Sequence, residues 1–320
     1  RIISKDYNIH SLFYIMQALS LNDASMVEGG SKDLAKRVEE TFISSGGKVI
    51  YNTNVEKIII ENKKAIGITL KNGENIYSDY VVSSIDAHYL LNNLLESKIE
   101  DPYYMDRFRN RKDYPLNQCI LASFNTKANF DNFPKMINFS IDPIELNGIT
   151  INNITVRNFS FDKTLNKNKT LLTVLIDAND LLYDYLKALT KEEYKAFKSS
   201  LGLKLKMEII KYFKLENGDI NFIDLSTPLT YERYLNAYRG SYMSFITTKR
   251  SKGLMRKGII KGIKNLYIGG QWIMPPGGLP IALFSGKHAA YRIVKNEKCK
   301  FIDLDITNKE SYKYKKLEVD

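Results

Sequence analysis

The residues best arranged for chemistry in this 320-residue chain lie between Asn265 and Gly286, in the run NLYIGGQWIMPPGGLPIALFSG. Leu266, Tyr267 and Ile268 read as a short strand that ends at Gly269 and Gly270. Gln271 and Trp272 lead into an uncharged Pro/Gly loop through Gly277 and Gly278. Leu279 then opens an apolar helix that runs on through Ser285, Gly286, Ala289 and Ala290. A strand ending in glycines and feeding a helix N-terminus brings backbone very close to a bound group. The free amides there favour negative charge, and glycine removes the side chains that would hold the group away. The same run is long and uncharged, but Pro275, Pro276, Gly277, Gly278 and Pro280 would leave backbone groups unpaired in lipid, so it reads as a loop joined to a buried helix.

Other chemistries find little support. GxGxxG, GxxxxGKS/T and GxSxG are all absent, so the chain shows no dinucleotide fingerprint, P-loop or nucleophile elbow. Cys119 and Cys299 form no CxxC pair, and His10, His88 and His288 have no metal-ligand spacing, so no metal site is expected. Two lone cysteines fit a reducing cytoplasm. The net charge of +11 is spread along the chain among asparagines, without a basic stripe, and nucleic acid is not an expected partner.

Around the glycine run, the sequence predicts a helix from Asp6 to Leu21. A second helix is predicted from Lys32 to about Ser44, capped by Ser31, with Leu34, Val38 and Phe42 on one face and Gly46-Gly47 ending it. Strands are predicted at Lys48–Tyr51, Val55–Glu61, Ala65–Leu70, Asn75–Tyr77 and Tyr80–Ser83, with Asn72-Gly73 as a hairpin turn and Asp86 capping a helix from Ala87 to Leu95. The middle predicts longer strands at Gln118–Asn125, Ile149–Phe161 and Thr170–Asp177, then helices at Leu181–Ala188 and Glu192–Phe213. Together these elements make a mixed α/β (α+β) chain.

The order of these pieces resembles the FAD-dependent amine-oxidase-like superfamily, within it the phytoene desaturase and carotenoid isomerase branch. Three stretches carry the resemblance: Glu28–Ala87 (EGGSKDLAKRVEETFISSGG… to VVSSIDA), Thr227–Met243 (TPLTYERYLNAYRGSYM), and the glycine run, which is similar to the family's C-terminal signature. The resemblance implies an incomplete FAD-binding Rossmann-like domain with a β-meander, plus a substrate domain of mixed sheet flanked by helices. The implied division is 1–86 for part of the FAD-binding domain, 87–252 for the substrate-binding domain, 253–296 for the return, and 297–320 for a tail.

The same resemblance implies roles residue by residue. Val55 matches the valine whose backbone touches the adenine of FAD. Gly269, Gly270 and Gln271 lie beside the flavin, and Gly277, Gly278 and Leu279 place amides near its ring and pyrophosphate. Pro276 and Ile281 depart from the family pattern, where glycine and a small residue are usual. No catalytic acid or base is assignable; Tyr231, Glu232 and Tyr242 are candidates whose structural reading is the stronger. The chain opens at Arg1 inside helical patterning and without the family's GxGxxG unit, so the expectation is the C-terminal portion of a longer FAD-dependent oxidoreductase, inactive alone. Its implied partner is a long apolar polyene, with peripheral membrane contact left open. The open alternatives are an amine or porphyrinogen oxidase of the same superfamily, and a non-catalytic binder of apolar ligands.

Overall fold

The computed structural model describes residues 29–162, 164, 168–251 and 255–301, together with 13, 16–17, 20–21 and 27. The helix expected over 6–21 lies almost wholly outside the described residues. Helix α1, Gly30–Ser44, starts two residues earlier than the sequence suggests. Its N-cap is Gly29, left-handed at φ 77° with no side-chain cap, so Ser31 sits in the first turn and caps nothing. No α1 residue is buried, and Val38 and Phe42 are 49% and 51% exposed. Residues 48–51, expected as a strand, are irregular, with Ile50 and Tyr51 exposed. A strand exists only where a neighbour takes up its N–H and C=O groups, and no described strand pairs with this stretch.

The meander forms where the sequence puts it. β1 (Val55–Glu61), β2 (Lys64–Leu70) and β3 (Asn75–Tyr77) make a three-stranded antiparallel sheet. β4 (Val81–Ser83) follows outside that sheet, and three residues on, Asp86, whose carboxylate accepts the amides of His88 and Tyr89, starts α2 (Ala87–Tyr89). That helix widens at once into a π turn over Leu90–Leu94. α3 (Pro102–Arg109) follows, capped by Asp101.

The middle is a six-stranded sheet built from β5 (Leu116–Thr126), β6 (Met136–Leu146), β7 (Ile149–Asn158), β8 (Thr170–Ala178), β9 (Ile220–Ser226) and β10 (Met243–Phe245). The order is β10-β5-β8-β7-β6, and β9 also pairs with β5; every pairing is antiparallel. α4 (Asp180–Ala188) and α5 (Lys191–Phe213) follow β8, and α6 (Pro228–Leu235) follows β9. Strand alternation sends Ile120, Ala122 and Phe124, Leu172, Val174 and Ile176, and Ile154 and Val156 to one face. There they bury against the stripe Leu201, Leu205 and Ile209 of α5. Gly202 lets that helix come down onto the sheet, since a Cβ there would overlap the Phe222 ring. The opposite face carries Cys119, Leu121 and Ser123, Thr173, Leu175 and Asp177, and Thr155 and Arg157.

β6 is the largest element the sequence reading lacks. Its alternation is plain, with Ile137, Phe139 and Ile141 buried and Met136, Asn138 and Ser140 exposed. Asp142 and Pro143 interrupt it, and the register with β7 shifts there, between Ser140 and Ile144. Proline in a strand reads as a break, and the bulge absorbs it. The chain then returns as β11 (Leu266–Ile268) and ends in α7 (Leu279–Asn296). A second hydrophobic cluster, including Ala65, Leu90, Tyr104, Phe108, Leu266 and Trp272, joins the meander, α3 and the return.

Candidate functional site

β11 pairs in parallel with β4, Leu266 opposite Val81 and Ile268 opposite Ser83. The Gly269 amide donates to the Ser83 carbonyl at 2.8 Å and closes that ladder. Gly270 has φ 82°, and its amide donates to Ser285 Oγ at 2.6 Å; Ser285 Oγ in turn donates to the Ala282 carbonyl at 2.6 Å. A buried serine of α7 thus ties the strand end to the helix that the loop leads into. Gln271–Ile273 forms one 3₁₀ turn that buries Trp272 and Ile273. Tyr104 OH donates to the Trp272 carbonyl at 3.2 Å and the Arg256 amide to the Ile273 carbonyl at 2.7 Å.

Gly277 (φ 94°) packs on Gln271, where a Cβ would overlap the Gln271 side chain. Gly278 (φ 105°) is the N-cap of α7, and the nearest atom to a Cβ built there is Met243 Cε at 3.6 Å. Its conformation needs glycine, and a Cβ there would meet Met243 and Pro280 only at ordinary van der Waals distance. Among the described residues the amides of Gly277, Gly278 and Leu279 have no acceptor. Pro276 adds none, but its carbonyl accepts the Ser244 amide at 3.0 Å and so anchors the loop to β10. Ile281 packs, half-buried, against the second cluster. An open glycine edge with free amides at a helix start suits an electron-rich ring edge or a phosphate, and in that sense the residues present fit a flavin.

Six of the seven expected cofactor residues, Gly269, Gly270, Gln271, Gly277, Gly278 and Leu279, therefore share one loop. Val55 stands apart on β1, opposite Leu70, at the end of the meander away from the Glu61–Lys64 turn. Tyr231, Glu232 and Tyr242 do not form an acid/base pair. Glu232 accepts from Tyr183 OH at 2.8 Å and Lys187 Nζ at 2.7 Å, a structural ion pair, and burial together with Glu232 pushes the Tyr183 phenol up. Tyr231 and Tyr242 have ring centroids 6.0 Å apart beside Cys119.

The sequence reading also lacked most supports of the loop, naming of them only Asp86, as a helix cap. Asp101, 1% exposed, holds Arg256 at 2.6 Å, and the Arg256 guanidinium lies over the Tyr103 ring at 4.5 Å. Asp86 accepts a third amide, from Tyr238, at 3.0 Å, and burial pushes its carboxyl up to about 6 against the pull of those amides. His88 stacks on Tyr238 at 3.9 Å; burial and nearby Arg111 push its imidazole down. The signal for these lay in buried polar partners that are distant in sequence.

Two cavities flank the sheet. One of about 620 Å³ is lined by Lys112, Asp180, Lys249 and Arg250 among others. The other, about 440 Å³, lies on the open face of β6, β7 and β8 and includes Asn138, Thr155, Arg157, Leu175 and Tyr242. Among the described residues no helix is long and apolar enough to cross a membrane.

With this geometry in place, comparison identifies the class: residues 5–294 match the family described as flavin containing amine oxidoreductase, and the chain belongs to that family. More particularly, it is similar to carotenoid-modifying members. It is 24% identical over 292 residues to a 4,4'-diapophytoene desaturase (4,4'-diapolycopene-forming) of a Methylomonas species, covering 87% of this chain and 55% of that protein. It is 24% identical over 300 residues to a 4,4'-diaponeurosporene oxygenase of Staphylococcus aureus, covering 89% and 57%. A crystal structure of an oxidoreductase from Methanosarcina mazei superposes with TM-score 0.54 at 15% identity over 84% of this chain and 55% of that one, a likeness of fold. The chain thus spans somewhat over half the length of these relatives.

Proposed function

We propose that this chain is the C-terminal portion of an FAD-dependent oxidoreductase that dehydrogenates or isomerises a long apolar polyene. The Gly269–Leu279 loop and the backbone of Val55 would hold FAD, which would supply the two-electron acceptor for dehydrogenation. Residues 1–86 and 253–296 serve the flavin, and 87–252 hold the substrate. One observation carries the reading: Met243 Cε lies 3.6 Å from the Cβ position of Gly278, while its chain neighbour Tyr242 lines the cavity on the open sheet face. The glycine loop and the sheet cavity therefore meet at β10. A substrate lying on the sheet reaches the flavin edge there, and the residues around it bind, orient and exclude water. The basic balance favours collection of such a substrate at an anionic membrane surface through peripheral contact.

The test is to purify the complete protein with FAD and mix it, anaerobically, with an acyclic polyene. The expected result is stoichiometric flavin with bleaching of its absorbance by the polyene, which marks dehydrogenation, or a shifted polyene spectrum without net bleaching, which marks redox-neutral isomerisation. Absence of flavin, or bleaching by an amine or a porphyrinogen instead, refutes the proposal.

A further inference from the structure

On the open face of the sheet, the antiparallel registers lay out a row of side chains: Met136 opposite Arg157, Arg157 opposite Thr173, and Thr173 opposite Ser123. The neighbouring row holds Asn138 opposite Thr155, and Leu175 opposite Leu121. Arg157, Thr155, Leu175, Asn138 and Tyr242 line the same cavity. The apolar surface is therefore Leu175 and Tyr242, extended beyond the cavity by Leu121 opposite Leu175, and the polar end is Arg157 with its amide and hydroxyl neighbours.

Arg157 differs from four other half-buried or buried arginines, each of which has a partner. Arg111 and Arg239 pair with Asp180, Arg256 with Asp101, and Arg107 lies over the Tyr103 ring at 3.5 Å. Arg157 is half-buried and has no ion pair, hydrogen bond or ring partner among the described residues. Asn138 Nδ2 and Thr155 Oγ1 satisfy each other at 2.7 Å and leave the guanidinium to itself. The one carboxylate of the cavity, Asp177, lies four residues along β8 from Thr173, roughly 13 Å away at strand spacing. A guanidinium that lines a cavity, with five donors and no acceptor, is an incomplete fork. A planar carboxylate completes it with two parallel charge-assisted bonds.

We infer that the ligand of this face is an apolar chain ending in a carboxylate, and that Arg157 reads that end. The inference rests on the polyene reading and narrows it. From Asn117, which pairs with Met243 beside Gly278, to Ser123 in the Arg157 row is six residues of strand, roughly 20 Å. The head group is therefore fixed far from the reacting bonds, so Arg157 is a specificity-determining residue and does not touch the flavin.

The experiment uses the complete, FAD-loaded protein and two probes of equal length, all-trans-retinoic acid and its methyl ester, titrated by quenching of flavin fluorescence. The acid is expected to bind about tenfold more tightly than the ester or better. Arg157→Leu should bring that ratio to about one, and Arg157→Lys should keep part of it. Equal binding of acid and ester by the unmodified protein, or a preference that survives Arg157→Leu, overturns the inference and leaves the polyene reading standing. Binding of neither probe overturns both.

Discussion

The ion pair between Asp101 and Arg256 should hold the glycine loop in place, and its energetics can be worked from the structure. Asp101 Oδ1 caps α3 through the Tyr103 amide at 3.0 Å, and Oδ2 accepts from Arg256 at 2.6 Å. Asp101→Ala removes both interactions. Loss of the cap costs about 1 kcal/mol. Orphaning a buried partner costs about 3–5 kcal/mol, and because Arg256 retains 26% side-chain exposure the lower end applies, about 3 kcal/mol. The expected total is about 4 kcal/mol. Asp101→Asn keeps the cap and should cost about 1 kcal/mol less. Arg256→Met keeps the alkyl stem and strands the Asp101 charge, again about 3 kcal/mol. The double variant should then fall short of the sum by about 2–3 kcal/mol. Urea unfolding of the four proteins measures this coupling. Because the Arg256 amide bonds the Ile273 carbonyl, emission of the single tryptophan, Trp272, should also shift to the red in Asp101→Ala below the main transition. A coupling under about 0.5 kcal/mol, with Trp272 emission unchanged, would refute the reasoning.

Three further outcomes follow from the same geometry. Asp86 has its carboxyl raised to about 6 by burial, so its protonated form favours the fold: that contribution is complete below about pH 4 and lost as pH rises through about 6, an effect of about 3 kcal/mol. Asp86→Asn should flatten stability against pH across this window, and an unchanged slope would count against the burial argument. Gly278→Val, at φ 105°, should weaken flavin retention by the complete protein and cost about 1–3 kcal/mol of stability, whereas unchanged flavin occupancy in purified protein would remove Gly278 from the site. Gly202→Ala puts a methyl group into the Phe222 ring and should cost about 1–3 kcal/mol in denaturant, with Phe222→Leu restoring most of it; lack of rescue would mean that the strain lies elsewhere.

What the sequence makes legible here is what short-range chemistry specifies. The meander is readable because Asn72-Gly73 and the Glu61–Lys64 turn fix both hairpins locally, and α5 because Thr190 and Glu193 form a reciprocal capping box. The glycine loop is readable because Gly270, Gly277 and Gly278 each answer a positive-φ backbone demand within a few residues. Ser31 misleads because a left-handed Gly29 supplies the helix start without any side chain. β6 is hidden because the bulge at Asp142-Pro143 breaks the local rule that betrays a strand.

The residues that give the site its shape depend on pairings that no local rule sets. β11 finds β4 across more than half the chain, and Met243 reaches Gly278 only because β10 adds to the edge of β5. Arg157 is the sharpest case. Strand alternation within ITVRN places it on the face opposite Val156, which is legible. Its being unpaired is a property of two registers at once: β6 sets Met136 beside it and β8 sets Thr173, while a two-residue slip of β8 would bring Asp177 that much closer along the strand. A register fixed by the buried Val156–Val174 pair thus leaves a guanidinium facing a cavity without a counter-ion. The apolar core, by fixing that register, also fixes the charge that the open face presents to a ligand.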